Sequence, residues 1–514
     1  MDVGATRLDL RLVPAALTSW AVTAAGILWH LTGLIAAMIV ALVVTAVTGW
    51  WSRGRRESAD DDRPIAAGIV AVAVVGIAFA VAVALRVDEV RHHPVTERYG
   101  TVATVVVTPR ESPRMLGGNR TMFRGTLQSL DGHEMSGRVV AFASTTAFAD
   151  LTAGRPVGFR ARIGAPTRRD LTVAVLSATG EPTLGEAAPI HRGAHRIRTA
   201  FADAARTALP ADQAAMLPAL VLGDTSAVTG QTTAEFRASG LTHLTAVSGA
   251  NVTIVCGAVL LTAGLVGPRA AVVLAALVLL AFVVVVQPSA SVLRAAVMGG
   301  ITLLAVASHR RRQAIPALSA SVLALMIASP ELAVDVGFAL SVSATAALVV
   351  IAPVWSRRLV GRGWPKPLAD AVSVAVAAQL VTAPLVAGIS GTFSVVSVAA
   401  NLAVAAVIPP ITVIGTAAAA LCSLWPAGAE LLIRFTGPEL WWLLRVARWA
   451  AGVPGASIAV PSGLLGVVTV AAAGVVVVVS WRFRWVRIAA CGAVMCLLAW
   501  TVSGLSAGHD TIVS

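Results

Sequence analysis

The chain has 514 residues, 57% of them hydrophobic and only 13% charged, with a mean hydropathy of +0.82. Soluble domains carry about a quarter charged residues, so a disordered, fibrous or single soluble domain is excluded and a polytopic membrane protein is expected. The net charge of +13 rests on arginine, Lys366 being the one lysine. A P-loop needs a Gly-Lys-Ser/Thr step and Lys366 follows Pro365, which excludes a Walker-type ATPase.

A spanning helix needs about 20 apolar residues. Residues 12–51 hold two short candidates split near His30–Gly33, and Pro64–Leu85 is a third. The first run lacks a small-residue cleavage site and a second run follows at once, so it reads as a retained anchor. Residues 87–185 then turn polar and alternating. They read as five strands, Thr101–Thr108, Thr121–Leu130, Glu134–Ala143, Pro156–Ile163 and Asp170–Ala178, with turns at Gly117-Gly118, Asp131-Gly132 and Gly164–Pro166. Five short strands in this space fit an OB-like small barrel. The stretch has 12 Arg against 9 acidic residues, and Arg120, Arg124, Arg138, Arg160, Arg162, Arg168 and Arg169 lie on or beside strands. An arginine groove can track a phosphate backbone. Solvated strand faces are the plainer reading, because stacking aromatics are few: Phe123, Phe142, Phe148 and Phe159.

The segment 191–209 is basic and amphipathic, with Arg192, Arg196 and Arg206 broadly opposite Ile197, Phe201 and Leu209. It suits an interfacial helix with arginines on anionic headgroups. His191 and His195 are four apart, a spacing open to a metal, but a solvated basic face explains them more simply. Further spans are expected at roughly 241–266, 269–287, 290–307, 314–329, 333–355, 367–389, 394–425, 462–480 and 485–504, about a dozen in all. The 394–425 run would be about 46 Å as one straight helix, too long for the bilayer core, and Pro409-Pro410 is the expected break. Residues 430–450, with Trp441, Trp442, Arg445, Arg448 and Trp449, look interfacial. Cys256, Cys422, Cys491 and Cys496 all fall in apolar stretches and read as buried small side chains. The positive-inside preference puts the arginine loops after residues 51, 307, 355 and 480 in the cytoplasm and residues 87–185 outside.

Polar residues enter the apolar run Leu220–Val255. On one continuous helix His243, Ser248 and Asn251 would share a face, and polar groups at membrane depth usually face a bundle interior or a wet cavity. Helix packing by small and hydroxyl residues covers Ser248 alone. Arg294, Asp335, Gln379 and Asn401 fall at similar depth, which suggests a polar cavity open to the outside. Arg294 and Asp335 are a candidate pair within it, with a purely structural ion pair as the alternative. Two other classes stay open. Broken helices with midplane polar groups suit a secondary transporter of a small or lipid-linked solute. Ser248 with His243 suggests an intramembrane serine hydrolase, although about 140° of helix would separate them and a dyad needs hydrogen-bond reach.

The stretch LVLGDTSAVTGQTTAEFRASGLTHLTAVSGANVTIV (220–255) resembles the signature of the ComEC competence-protein family, inner-membrane channels for incoming single-stranded DNA. So do Ser289–Met298, Ala328–Thr345 and Ala378–Asn401, in the same order. The layout of spans followed by an external OB-like domain is similar too. The resemblance implies a helical polytopic fold divided as N-terminal helices (1–86), external β domain (87–185), amphipathic linker (186–240) and channel domain (241–514). It marks Gly223, Asp224, Gly240, His243, Ser248, Gly249, Arg294, Asp335, Gly337, Phe338, Ser341, Gln379, Pro384 and Asn401. Asn251 stands where the commoner pattern has His, and Ala339 where Gln is frequent. Many members also carry a metallo-β-lactamase-like nuclease domain. No H-x-H-x-D-H run occurs here, so a short member without nuclease activity, metal or cofactor is expected. The resemblance implies a cytoplasmic-membrane location, single-stranded DNA as cargo, an external DNA receptor and a cytoplasmic helicase-like motor as partners, and a homo-oligomer as a further one. Arg120, Arg124, Arg160 and Arg162 of the barrel, and Arg192 and Arg196 as a collar, are the expected DNA contacts.

Overall fold

A computed structural model describes residues 9–53, 63–245, 247–265, 267–308 and 313–480. The expected last span (485–504), Cys491 and Cys496, and the arginines at 55–56, 310–312 and 482–487 lie outside them. Helix α1 (Val13–Arg53) packs on α2 (Arg63–Arg91). Within α1 the backbone at His30 takes φ 58° and ψ −140°, so the helix is broken there, at the expected split.

The polar segment folds into a closed barrel. Its strands are β1 (Val102–Pro109), β3 (Arg120–Leu130), β4 (His133–Ser144), β5 (Val157–Gly164) and β6 (Ala174–Leu184), with a short extra strand β2 (Arg114–Gly117) hairpinned onto β3. Hydrogen-bonded neighbours run β1-β5-β6-β4-β3, and β3 returns to β1. Only β4 and β6 pair in parallel. This is an OB-like order, closed because β1 pairs with β5 along one edge and, after a bulge at Val106/Val107, with β3 along the other. The alternation drives it: Ala103, Val105, Phe123, Leu127, Val139, Ala141, Phe159 and Ile163 point inward and are buried. Phe148 lies 6.2 Å from Phe123 and 5.4 Å from Phe159, ring centre to ring centre, which completes an aromatic core. Three of the four phenylalanines weighed as stacking platforms are therefore core, and Phe142 alone faces outward. The Asp131-Gly132 turn holds φ 47° and 85°, the two left-handed residues a tight hairpin needs. The fifth strand starts later than expected because Asp170–Val173 form the bend that leads into it.

Helix α3 (Pro189–Ala208) buries Ala194, Arg198, Phe201 and Ala205 and exposes Arg192 and Arg196. It packs on α4 (Ala211–Leu222), which is buried on nearly every side. After α5 (Gly230–Ala238) come α6 (Gly249–Ala263), α7 (Pro268–Val286), α8 (Ala290–Ala307), α9 (Ala314–Ala328), α10 (Val336–Val350) and α11 (Ala352–Val360). They are followed by α12 (Lys366–Ser390), α13 (Ser397–Val404), α14 (Ile408–Leu421), α15 (Pro426–Phe435), α16 (Gly437–Ala451) and α17 (Leu464–Ser480). Among the described residues, five helices are long and apolar enough to cross a membrane, or six if the α13–α14 pair, bent by 55°, is one span. The expected dozen is not reached there, because three of the expected spans fold as shorter helices, α6, α9 and α17. The 394–425 run does break, but at 405–407. Pro409 and Pro410 open α14, where a missing N–H costs nothing.

Two packing units emerge: Met1–Ala378 with Ser394–Ala456, and Gln379–Phe393 with Ser457–Ser514. In the second, strand β8 (Ser457–Ala459) pairs with β7 (Thr392–Ser394). There α17 approaches the end of α12 closely, where a Cβ on Gly388 would come 2.6 Å from Val467 Cγ2.

Candidate functional site

The first polar cluster lies where α4 ends. Gly223 takes φ 70°, and its N–H returns to Ala219 O at 3.1 Å, an αL stop that favours glycine. Asp224 follows, and its Oδ1 accepts from Ser226 N (3.2 Å) and Ser226 Oγ (2.7 Å). Its Oδ2 lies 3.4 Å from Arg198 Nη2. Arg198 Nη1 also donates to Leu222 O (2.9 Å) and Val285 O (3.2 Å). One buried guanidinium thus ties α3 to the end of α4 and the end of α7. Burial pulls its pKa down and Asp224 draws it back up. Sequence reasoning missed Arg198. The signal was its place in the apolar stripe of α3, four residues after Ala194 and three before Phe201.

The next segment corrects the expected 241–266 helix. Gly240 takes φ 74°, and a Cβ there would collide with Ser397 Oγ on α13. Residues Thr242–Leu244 form a single tight turn, and Ser248 is extended (φ −91°, ψ 158°) before α6 begins at Gly249. His243, Ser248 and Asn251 therefore do not share a helix face. His243 is exposed on the turn. Ser248 Oγ donates to Asn251 Oδ1 (3.2 Å), and Asn251 Nδ2 donates to Leu220 O (2.9 Å). Asn251 is a buried tie from α6 to α4. Among the described residues no hydrogen bond joins Ser248 to His243. Ser248 and Asn251 border a cleft with Leu244 and Thr412 of about 10 Å³, room for no more than one water.

The second polar cluster centres on Arg294, which is 6% exposed on α8. Its Nε donates to Ser341 Oγ on α10 (2.8 Å) and its Nη1 to Met298 Sδ (3.1 Å). Ser341 Oγ in turn donates to Ser291 Oγ (3.2 Å). The guanidinium lies against Gly249, where a Cβ would come 2.6 Å from Nη2. The Arg294–Asp335 pair weighed from sequence is not formed. Asp335 Oδ1 instead accepts from Phe338 N (2.8 Å) and caps α10. Gly337 keeps that cap open, because a Cβ there would be 3.0 Å from the same oxygen. Phe338 is fully buried, edge-on to Trp20 at 5.4 Å. Asn401 Nδ2 donates to Ser397 O (2.8 Å) and Ser397 Oγ (3.2 Å) on its own helix. Gln379 and Pro384 lie on α12, in the second unit. The expected lining residues are thus distributed over separate clusters. The expected open cavity does not appear around Ser248 and Asn251.

On the barrel, the outward face of β3 and β4 carries Arg120, Arg124 and Phe142. The Arg120 guanidinium stands 5.6 Å over the Phe142 ring. Beside it a cleft of about 360 Å³ is bordered by Phe142, Arg162, Thr167 and Ser177. Arg160 and Arg162 are exposed. Arg124 faces Glu111 at 3.9 Å, and the same carboxylate holds Arg114 at 3.1 Å. Arg192 lies 3.9 Å from Glu186. No group of three or more His, Cys, Asp or Glu side chains suited to a metal occurs among the described residues, His191 and His195 included.

Comparison with known proteins places this arrangement. A model of the family described as Competence protein matches residues 220–485, just over half of the chain. The stretch begins in α4, at the carbonyl that Asn251 ties. The chain is also similar to ComE operon protein 3 of Bacillus subtilis (strain 168), 26% identical over 197 residues, which is 38% of this chain and 24% of that protein. It therefore aligns with about a quarter of that relative's length. No solved structure matches it.

Proposed function

We propose that this chain, which belongs to the competence protein family, carries single-stranded DNA across the cytoplasmic membrane during DNA uptake. The observation that carries the reading is the outward barrel face. There Arg120 stacks on Phe142 next to Arg162, on the same chain as helices that the family model matches. The second and third strands of an OB-fold and their neighbouring loops are its usual oligonucleotide surface. An aromatic flanked by arginines offers a base a stacking plane and its phosphates a counter-charge.

In this reading the barrel is external and the arginine-rich loops are cytoplasmic. About a dozen crossings are assembled from the long helices, the shorter apolar ones and the bent α13–α14 pair. The cleft at Ser248–Asn251 then belongs to a closed state, and α13–α14 is the element that moves. Transport needs a driving force, which a cytoplasmic helicase-like motor supplies, and an external receptor delivers the DNA. The protein is a conduit rather than an enzyme. Against a serine hydrolase stands the Ser248 hydroxyl, which donates to Asn251 and has no base in reach among the described residues.

The test is cytoplasmic uptake of labelled DNA in a deletion strain, with electroporated plasmid as the recombination control. Wild type is expected to restore uptake, and an Arg120→Ala, Phe142→Ala, Arg162→Ala triple variant to restore little. Normal uptake in the deletion strain would remove the DNA reading and favour transport of a small or lipid-linked solute.

A further inference from the structure

Helix α6 begins without the usual cap. The hydroxyl of its N-cap residue, Ser248, donates to Asn251 Oδ1 and accepts nothing from the first turn. In that turn the Asn251 N–H closes on Ser248 O at 3.1 Å, the N–H groups of Gly249 and Ala250 have no acceptor among the described residues, and the helix dipole adds positive potential there. Against this same turn lies Arg294, 6% exposed. Its Nε is spent on Ser341 and its Nη1 on Met298. Its Nη2 has no acceptor among the described residues and faces Gly249. No carboxylate lies within 4 Å of the guanidinium among the described residues, and the nearest in sequence logic, Asp335, is engaged with Phe338 N. Two positive features thus meet in a buried place without a counter-charge. Burial of a charge is costly unless it is paired, and a helix N-terminus favours an anion.

We propose that the α6 N-terminal turn and Arg294 Nη2 form a seat for one phosphate group, filled by a phosphodiester of the translocating strand. The proposal rests on the DNA reading above and adds to it where the strand is held. Gly249 is the floor of the seat, because any side chain there would press on the guanidinium. Ser341 is a positioning residue. It accepts from Nε and passes its own proton donation to Ser291, which fixes the guanidinium plane so that Nη2 faces α6. Met298 only fills the space behind Nη1.

The test uses the full chain in nanodiscs, with pentathymidylate, its uncharged methylphosphonate analogue and inorganic phosphate as probes. Every protein carries Arg120→Ala and Phe142→Ala so that the barrel face does not set the affinity, and this background serves as the wild type of the comparison. Hydrogen bonds to charged groups predict that Arg294→Gln weakens pentathymidylate binding about tenfold or more at 0.15 M salt. It should also reduce the slope of log K against log salt by about 0.7, one phosphate on a single strand. Gly249→Ala keeps every charge but displaces Nη2, and is expected to weaken binding in the same direction. Met298→Leu is expected to bind as wild type, and none of the variants should differ on the methylphosphonate. Thermal unfolding of each variant shows whether it is folded. A folded Gly249→Ala or Arg294→Gln protein with wild-type affinity and salt slope would overturn the seat while leaving the DNA reading intact. Wild type that ignores pentathymidylate but binds inorganic phosphate, with loss in Arg294→Gln, would keep the seat and remove the DNA reading. Wild type that binds neither would remove both.

Discussion

Replacing Arg198 by methionine isolates what the signature turn gains from its buried cation. Methionine matches the length of the aliphatic stem, so the loss is that of the guanidinium. The Arg198 side chain is 8% exposed and Asp224 26%. Removing the cation leaves Leu222 O and Val285 O without the donors now at 2.9 and 3.2 Å and strips Asp224 of its counter-charge. Breaking a buried pair from one side costs about 3–5 kcal/mol. Asp224 is a quarter exposed and keeps both donors from Ser226, so the lower end, about 3 kcal/mol, is expected here. Asp224→Asn keeps the turn's hydrogen bonds and loses only the charge, about 1–2 kcal/mol. In the double variant the asparagine has no cation left to miss, so the total should equal that of Arg198→Met alone. The cycle then gives a coupling of about 1–2 kcal/mol. Equilibrium unfolding of the full chain in mixed micelles measures all four proteins. A loss below about 1 kcal/mol for Arg198→Met, or singles that simply add, would refute the pairing as a source of stability.

Three further outcomes are expected. Gly240→Ala places a Cβ on Ser397 at a left-handed φ and should cost more than about 2 kcal/mol, Gly223→Ala about 1 kcal/mol, and Gly257→Ala nothing or a gain of up to about 1 kcal/mol, since no atom lies within 4 Å of a Cβ there. Melting temperatures that do not follow that order would contradict the close approach at Gly240. Phe142→Ala should lower oligothymidylate affinity about 5- to 150-fold without unfolding the barrel, as expected for a stacked base. Phe148→Ala, in the core, should instead cost about 3–5 kcal/mol of stability; equal loss of binding in two folded proteins would remove Phe142 from the interface. Asp335→Ala should cost about 1 kcal/mol through the lost cap and Asp335→Asn less, and the Arg294→Asp, Asp335→Arg exchange should show no mutual rescue in an unfolding assay.

The barrel was legible because its signal is local. Alternation of period two with Asp131-Gly132 at a turn fixes both strand and register, and four of the five strands lie within a residue or so of their expected ends. Helix α8 was legible for the same reason, its apolar run being bounded by Gln287-Pro288-Ser289 and the arginines at 310–312. The path from Gly240 to Ser248 was not. An apolar run reads as one helix unless a residue shows that the backbone departs from it. Here the backbone departs twice, at Gly240 with φ 74°, where α13 packs too close for a Cβ, and at the extended Ser248. The run itself encodes neither the contact with α13 nor the extended residue. The Asp335 assignment failed in the opposite way. Charge complementarity suggested a distant partner, while a carboxylate at a helix start meets nearer and better aligned donors in its own first turn. Arg198 was hidden by its charge, because a basic residue on an amphipathic helix is ordinarily placed on the wet face.

The mounting of the barrel bears on which way the chain faces. Ser112, in the loop after β1, donates from N and Oγ to Gln287 Oε1 at 3.0 and 3.1 Å. Gln287 ends α7 with φ 73° and ψ 146°, a conformation nearly restricted to glycine. Arg138 on β4 pairs with Glu331, in the turn between α9 and α10. Arg169, in the loop before β6, donates to Leu28 O, two residues ahead of the break at His30. The corners at Leu28, Gln287 and Glu331 must therefore lie on the barrel's side of the helices. Counting arginines in the intervening loops assigns those same three corners to one side, opposite the basic loops. The two arguments share no data, since one uses hydrogen bonds of the barrel and the other uses only where arginines fall in the sequence. Gln287 also links the barrel to the Arg294 cluster: the corner that Ser112 holds in its strained conformation leads directly into α8 and Arg294.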